Sequence, residues 1–139
     1  MSSEPFYRLT VAAGFSASHQ LRNFGGKCEA LHGHNFGVEM SVVGQDLDPK
    51  THLLVDFGLL KQILRAEVER YDHTFLNEVE PFDRINPSSE NIARTLFEAL
   101  FGQVHDLDAT LESVTVCEKP GQSATYCVSR GSSRGGVCR

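Results

Sequence analysis

The sequence lacks long apolar runs and an excess of positive charge. Its longest apolar stretches, such as residues 53–55, fall far short of the ~20 residues that a membrane-spanning helix requires. The N-terminal residues 1–5 are neither basic nor apolar, unlike a secretory signal, so we expect a cytoplasmic protein. With 13 Lys and Arg against 18 Asp and Glu, the net charge of −5 argues against nucleic acid or a membrane surface as the main partner. A small anionic substrate remains compatible with this charge.

Cysteine is also scarce and irregularly spaced. The four cysteines are Cys28, Cys117, Cys127 and Cys138. Without a secretion signal, this pattern favours reduced thiols over a disulfide framework. Cys117 and Cys127 fall in predicted strands, where we expect small buried apolar side chains.

The length and composition are those of one globular domain. The chain has 139 residues, of which 40% are hydrophobic and 22% charged. We assign residues 1–130 to a single domain. Residues 131–139 have little to bury and are predicted to form a flexible tail.

The hydrophobic pattern predicts an α+β fold. Strands are predicted over residues 6–19, 34–43, 111–118 and 123–128. One helix is predicted over residues 56–71. A second helix is predicted to begin at a cap formed by Ser88 or Ser89 and to end at about residue 104. In this order, two helices can cover one face of a four-stranded antiparallel sheet. The exposed strand edges and the uncovered face then predict an oligomer.

Three of the six histidines, His19, His32 and His34, lie within sixteen residues. Because side chains alternate along a strand, His32 and His34 point to the same side. His19 ends the preceding strand and lies near them if the two strands are antiparallel neighbours. Three neutral imidazoles with an open fourth position make a catalytic Zn²⁺ site. The alternative is three unrelated polar surface residues, and the spacing favours the metal.

Two features suggest proton transfer. Cys28 stands four residues before His32 and beside the cationic Lys27, a setting that favours a reactive thiolate, although it is equally compatible with a loop cysteine that has no task. Asp72 and His73 place a carboxylate beside an imidazole at the end of the first predicted helix. The alternative there is a histidine that caps the negative end of the helix dipole.

Glu118 ends a predicted strand, just before a Lys-Pro-Gly turn. A carboxylate in this place can accept two parallel hydrogen bonds from a planar N–H/NH₂ edge such as that of guanine or a pterin. The simpler interpretation is a solvated strand end.

Taken together, these residues resemble the 6-pyruvoyltetrahydropterin synthase and 6-carboxytetrahydropterin synthase family. The matching elements occur in the family's order and cover about residues 6–130. They are residues 15–19, 28–35, 55–57, 71–77 and 87–91, and Glu118. The short spacing from Cys28 to His32 and His34 is similar to that of the bacterial 6-carboxytetrahydropterin synthases of the queuosine pathway.

The resemblance implies a tunnelling fold (T-fold), in which protomers join their sheets into an oligomeric barrel. This barrel is commonly a homohexamer of two trimers with active sites at the subunit interfaces. The resemblance also implies that Zn²⁺ binds His19, His32 and His34. The other implied site residues are the base Cys28, the proton-transfer pair Asp72 and His73, and the pterin-binding Glu118, Ser88 and Ser89.

The implied activity is a zinc-dependent lyase reaction that converts 7,8-dihydroneopterin triphosphate to 6-carboxy-5,6,7,8-tetrahydropterin. Arg22, Lys27 and Arg94 are candidates to hold the triphosphate. Two alternatives from other classes are a non-catalytic pterin-binding protein and a three-histidine iron enzyme.

Glu29 departs from the family pattern. In a branch linked to folate synthesis, a glutamate stands near this position in place of cysteine. We therefore expect Glu29 to contact the substrate and to support at most a minor route to 6-hydroxymethyl-7,8-dihydropterin. A 6-pyruvoyltetrahydropterin synthase is the other alternative within the family.

Overall fold

The computed structural model describes residues 4–26 and 29–128. The predictions for Cys28 and for the tail at residues 131–139 lie outside these ranges. In the described ranges the strands are β1 (Tyr7–His19), β2 (His32–Gly44), β3 (Thr74–Phe75), β4 (Thr110–Lys119) and β5 (Gln122–Cys127), and the helices are α1 (Phe57–Val68) and α2 (Ser89–His105).

The strands form one sheet in the order β3-β1-β2-β4-β5. The four predicted strands pair antiparallel as expected, with β1 and β2 in register from Tyr7 opposite Gly44 to His19 opposite His32. The prediction of a purely antiparallel four-stranded sheet is wrong, because β3 adds a fifth strand parallel to β1. The segment before β3 is bonded to the edge of β1, because the N–H of His73 donates to the carbonyl of Ser16 over 2.5 Å.

Both helices begin at side-chain caps. The Asp56 carboxylate accepts from the N–H of Gly58 over 3.1 Å, as predicted for α1. Of the two candidate serines, Ser88 is the cap of α2, and its hydroxyl accepts from the N–H of Asn91 over 3.2 Å. The helix α1 ends at Val68, and a 3₁₀ turn follows, so its end lies earlier than the predicted residue 71.

The core lies between the helices and one face of the sheet. Each fully buried aliphatic or aromatic side chain there stabilises the fold by about 1.5–3 kcal/mol relative to the exposed side chain. The central residues of the core are Phe36, Met40, Leu60, Leu64, Leu96, Leu100 and Val114.

The opposite face of the sheet carries small polar side chains. Thr10 and Ser41 hydroxyls lie 2.9 Å apart across β1 and β2, and Thr115 and Thr125 hydroxyls lie 2.7 Å apart across β4 and β5. These pairs satisfy one another within the sheet. The described helices leave this face uncovered.

Two cysteine predictions are wrong. Cys127 is a free, exposed thiol because it lies on the edge strand β5, where one side has no neighbour within the described residues. Cys117 is half-buried and disulfide-bonded, which contradicts the expectation of reduced thiols at that position. Among the described helices, none combines the length and apolar character needed to cross a membrane.

Candidate active site

Three histidines from two neighbouring strands converge at one end of the sheet. His19, the last residue of β1, is the register partner of His32, the first residue of β2. His34 follows two residues later and therefore points to the same face as His32. The three ring centroids lie 4.7–5.2 Å apart. The structure thus brings together the three residues predicted to hold a metal.

Backbone carbonyls orient two of these rings. The Nδ1 atom of His19 lies 2.8 Å from the carbonyl oxygen of Pro87, and that of His32 lies 2.8 Å from the carbonyl oxygen of Ala30. A carbonyl oxygen only accepts, so each Nδ1 donates and each Nε2 of the neutral ring presents a lone pair. The two Nε2 atoms face each other at 3.1 Å. A cation bound by both atoms removes the repulsion, and carbonyl partners of this kind are usual for metal-ligating histidines.

Glu118, near the end of β4, supplies a fourth donor atom. Its Oε1 lies 2.7 Å from Nε2 of His34, 3.4 Å from Nε2 of His19 and 3.8 Å from Nε2 of His32. Although the first distance is short, the two atoms are not aligned as a hydrogen bond. The buried His34 Nε2 therefore has no hydrogen-bond partner in the described part of the chain. All four donor atoms lie within 4.8 Å of one another, an arrangement that can hold a metal ion.

The charge states of this group suit metal binding. Burial lowers the pKa of the His34 imidazole, and the neighbouring histidines lower it further, against an opposing effect from Glu118. Burial alone would raise the pKa of Glu118, but the electrostatic effect of the neighbouring histidines and a hydrogen bond from Gln122 outweigh it and lower that pKa. Neutral imidazoles and an ionised carboxylate are the forms that bind metals.

Asp72 and His73 form an ion pair at the edge of β1. Asp72 Oδ2 lies 2.9 Å from His73 Nδ1, and Asp72 Oδ1 accepts from the N–H of Ser16 over 2.8 Å. The Ser16 hydrogen bond, with a smaller effect from His73, lowers the pKa of Asp72 and keeps the carboxylate ionised. The alternative of a histidine at the helix end does not hold, because the C-cap of α1 is Glu69.

His73 is held in a backbone conformation that displays its side chain. Its φ of 58° lies in the left-handed region, and its side chain is 83% exposed. His73 and His34 both line one open depression of about 550 Å³, together with Ser16, Ser18 and Asn35. One candidate metal ligand, His34, and one member of the candidate proton-transfer pair, His73, therefore border the same space within one chain.

Glu29 lies behind the histidine cluster. Its carboxylate accepts from the N–H of Leu21 over 3.3 Å and lies 3.8 Å from Nδ1 of His32. The carboxylate is thus held beside a candidate metal ligand. Ser88 and Ser89 are half-buried at the start of α2, and the carbonyl of the preceding Pro87 orients His19.

The Arg22 side chain is bound to backbone carbonyls within the protein. Its guanidinium donates to the carbonyls of Asn77, Phe82 and Ile85, which leaves little donor capacity for a triphosphate. This contact ties the loop after β3 to the end of β1. Arg94 lies 3.4 Å from Glu98 on α2.

Sequence reasoning missed two asparagines that continue the edge of β1. Asn77 pairs with both backbone groups of Gln20, over 2.9 and 2.7 Å, and Asn86 pairs with both backbone groups of Arg22, over 2.8 Å each. Each side-chain amide thus replaces a strand partner. The only sign of this pairing in the sequence is the presence of Asn77 and Asn86 between the two predicted helices.

Known proteins are similar to this chain in sequence and in fold. The family model for 6-pyruvoyl tetrahydropterin synthase matches residues 8–128. The chain belongs to the 6-pyruvoyl tetrahydropterin synthase family. A 6-carboxy-5,6,7,8-tetrahydropterin synthase of Bacillus subtilis strain 168 is 35% identical over 131 residues, which cover 89% of this chain and 85% of that protein.

Solved structures of 6-pyruvoyl tetrahydropterin synthases have the same fold. The Caenorhabditis elegans protein is 26% identical with a TM-score of 0.76, and the match covers 93% of this chain and all of that one. A Plasmodium vivax protein in which a catalytic glutamate is replaced by alanine is 22% identical with a TM-score of 0.68, and the match covers 88% of this chain and 98% of that one. The predicted family is confirmed, and so is the predicted type of enzyme, a lyase of the tetrahydropterin synthase kind.

Proposed function

We propose that the protein converts 7,8-dihydroneopterin triphosphate and one water to 6-carboxy-5,6,7,8-tetrahydropterin, with acetaldehyde and triphosphate as the other products. The Bacillus subtilis relative, which covers most of the chain, is named for this product. The observation that carries the proposal is the set of three converging Nε2 atoms, two of them fixed in the metal-binding tautomer by backbone carbonyls.

The metal we propose is Zn²⁺ held by His19, His32 and His34. The donor set fits, because three neutral imidazoles are a common ligand set of catalytic zinc. When bound, the ion supplies a Lewis acid that stabilises negative charge on oxygen atoms of the substrate side chain. Of the three histidines, His34 borders the depression that His73 also lines.

Asp72 and His73 supply the acid–base step in this proposal. The ionised Asp72 holds Nδ1–H of His73 and leaves Nε2 directed at the substrate as the proton-exchanging atom. Ser16 positions Asp72 through its backbone N–H. Cys28 is proposed as the base that removes a proton from the substrate side chain, after which triphosphate leaves. One water then adds to the first side-chain carbon, and a retro-aldol-type cleavage of the bond to the second carbon leaves the carboxyl group and releases acetaldehyde.

Glu118, Ser88 and Ser89 are proposed to bind the pterin ring. The carboxylate of Glu118 accepts hydrogen bonds from the planar N–H/NH₂ edge of the ring, and the serines border the pocket at the start of α2. With the ring fixed, the reacting carbon is held between the metal and the bases.

We further propose that the protein works in the cytoplasm as a homohexamer of two trimers. Two features of the sheet support an assembly. Its outer strands β3 and β5 have open edges within the described residues, and its polar face is not covered by the helices. Sedimentation of the purified protein measures the oligomer size.

The test is incubation of the zinc-loaded protein with 7,8-dihydroneopterin triphosphate, followed by mass spectrometry of the products. We expect 6-carboxy-5,6,7,8-tetrahydropterin and acetaldehyde in equal amounts. A 6-pyruvoyl product would assign the protein to the other branch of the family. Binding without turnover would identify a non-catalytic pterin-binding protein. Activity after loading with iron but not zinc would overturn the metal assignment.

A further inference from the structure

The carboxylate of Glu118 lies among the three histidines of the candidate metal site. Binding of a pterin ring by itself does not require this position. The Oε1 atom of Glu118 lies among the three imidazole nitrogens, at 2.7 Å from His34, 3.4 Å from His19 and 3.8 Å from His32. Its other oxygen, Oε2, accepts from the side-chain amide of Gln122 over 3.3 Å. Both oxygens are therefore engaged inside the protein.

Four of the six distances between the donor atoms scatter around those of a tetrahedral metal site, and all six are within 4.8 Å. Zinc bonds of about 2.0–2.2 Å to nitrogen and oxygen place the ligand atoms of a tetrahedron about 3.3–3.6 Å apart. The known pairs of donor atoms in this group lie 2.7–3.8 Å apart, values that bracket this range. Moreover, His34 Nε2 is buried without a hydrogen-bond partner in the described part of the chain, although a carboxylate oxygen lies beside it. A lone pair aimed at a shared ion accounts for both observations.

We propose that Glu118 is the fourth ligand of the metal in the substrate-free protein and that it leaves the metal when the pterin ring binds. This inference rests on the proposed metal site and on the proposed contact between Glu118 and the ring. Two parallel hydrogen bonds from the ring require the carboxylate to turn both oxygens toward it, so we expect Oε1 to leave its position among the three imidazole nitrogens. The ring and the metal therefore compete for one side chain.

Through this exchange, binding of the ring frees one coordination position on the metal ion. Three neutral imidazoles leave the full charge of a divalent ion uncompensated, and a carboxylate ligand halves it. Once Glu118 turns to the ring, the ion regains an open position and its full charge next to the substrate side chain. The Glu118 side chain is 22% exposed, so an incoming ring can reach it from the solvent side.

The experiment compares the wild-type protein with Glu118→Gln, which keeps the shape of the side chain but removes its charge. Glu98→Gln, on the exposed face of α2, is the matched control. Zinc affinity is measured by competition with a chelating indicator. Coordination is measured by the visible absorption of the Co²⁺-substituted protein, before and after addition of unsubstituted pterin, a ring with no side-chain hydroxyl to bind the metal. Circular dichroism checks that each variant is folded.

We expect Glu118→Gln to weaken zinc binding at least about tenfold, since even an outer partner of a metal ligand contributes 10–100-fold. We also expect pterin to change the Co²⁺ bands of the wild-type protein but not those of Glu118→Gln. Equal affinity and identical bands in both proteins would overturn Glu118 as a ligand. Weakened zinc binding with no effect of pterin on the wild type would overturn the exchange. A wild-type protein that binds neither ion would instead overturn the proposed metal site itself.

Discussion

The Nε2 atoms of His19 and His32 face each other at 3.1 Å across the β1–β2 ladder, while backbone carbonyls hold the Nδ1 atoms of both rings. Since each Nδ1 carries the hydrogen, neither Nε2 of the neutral rings has one to donate to the other. The Nε2 lone pairs of the two rings are therefore directed at the same point between them. A bound cation resolves this arrangement.

Removal of one ligand should abolish tight zinc binding while the fold survives. We expect this of His32→Ala and of His34→Ala, because both side chains lie at the end of the sheet and neither fills the centre of the core. Metal content after dialysis gives the binding, and circular dichroism gives the fold. His105→Ala, at the end of α2, is the control and should retain zinc. Full zinc content in both site variants would overturn the ligand assignment.

The convergence of the histidines could be predicted from the sequence because it depends on two local rules. Alternation along a strand places His32 and His34 on one face, and antiparallel pairing of consecutive strands places His19 opposite His32. Both rules act over short distances along the chain. The helix caps at Asp56 and Ser88 were predictable for the same reason.

The remainder of the site depends on contacts between segments far apart in sequence. The carbonyl of Pro87 reaches His19 across 68 positions, and no propensity of either residue predicts this hydrogen bond. The strand β3 is two residues long and exists because the loop follows the edge of β1. Arg22 has the composition of a phosphate ligand, yet tertiary contacts to three carbonyls determine its role.

The charge of Asp72 should contribute stability only above the acid range. Its pKa is lowered below the ordinary value of 3.8, chiefly by the hydrogen bond from Ser16. A carboxylate with a lowered pKa in the folded state stabilises the fold above its unfolded-state pKa and loses this effect as the pH falls through the folded-state value.

We therefore expect Asp72→Asn, which keeps the acceptor for Ser16 but not the charge, to have a lower urea midpoint than the wild type at neutral pH. The difference should shrink below about pH 4. A difference that is unchanged at acid pH would show that the charge of Asp72 is not responsible.

Arg8 and Glu112 form a bidentate ion pair on the face of the sheet away from the metal group. Two nitrogens of Arg8 lie 2.5 and 2.7 Å from the two carboxylate oxygens. The Glu112 side chain is 5% exposed, and that of Arg8 is 42% exposed. Removal of Arg8 leaves a nearly buried carboxylate without its partner.

Arg8→Met should lower the free energy of unfolding by about 2 kcal/mol, less than the 3–5 kcal/mol of a fully buried pair because water reaches the guanidinium. Chemical denaturation measures the loss. The double variant Arg8→Met with Glu112→Gln should recover part of it, since the uncompensated charge is gone. If the double variant is less stable by the sum of the two single losses, the pair is not coupled.

The product should depend on Cys28 more than on Glu29. The structure holds the Glu29 carboxylate against the N–H of Leu21 and 3.8 Å from Nδ1 of His32, on the side of that ring remote from the Nε2 atoms that converge on the metal position. In this place the Glu29 carboxylate lies beside the candidate ligand His32, and we expect it to be poorly placed to take a proton from substrate.

Cys28→Ala should therefore reduce formation of 6-carboxy-5,6,7,8-tetrahydropterin by at least about 100-fold, the lower range for loss of a catalytic base. Glu29→Ala should retain this product and lose only a minor yield of 6-hydroxymethyl-7,8-dihydropterin. Mass spectrometry of the products of both variants measures each route, and Cys127→Ala, which removes an exposed free thiol, is the control for loss of a cysteine as such. If Cys28→Ala retains most turnover and Glu29→Ala loses it, the roles are reversed, and the thiol one residue earlier is not the base. The bond from Glu29 to Leu21 would then have to break in the substrate complex, because a carboxylate held by that N–H cannot turn to the substrate.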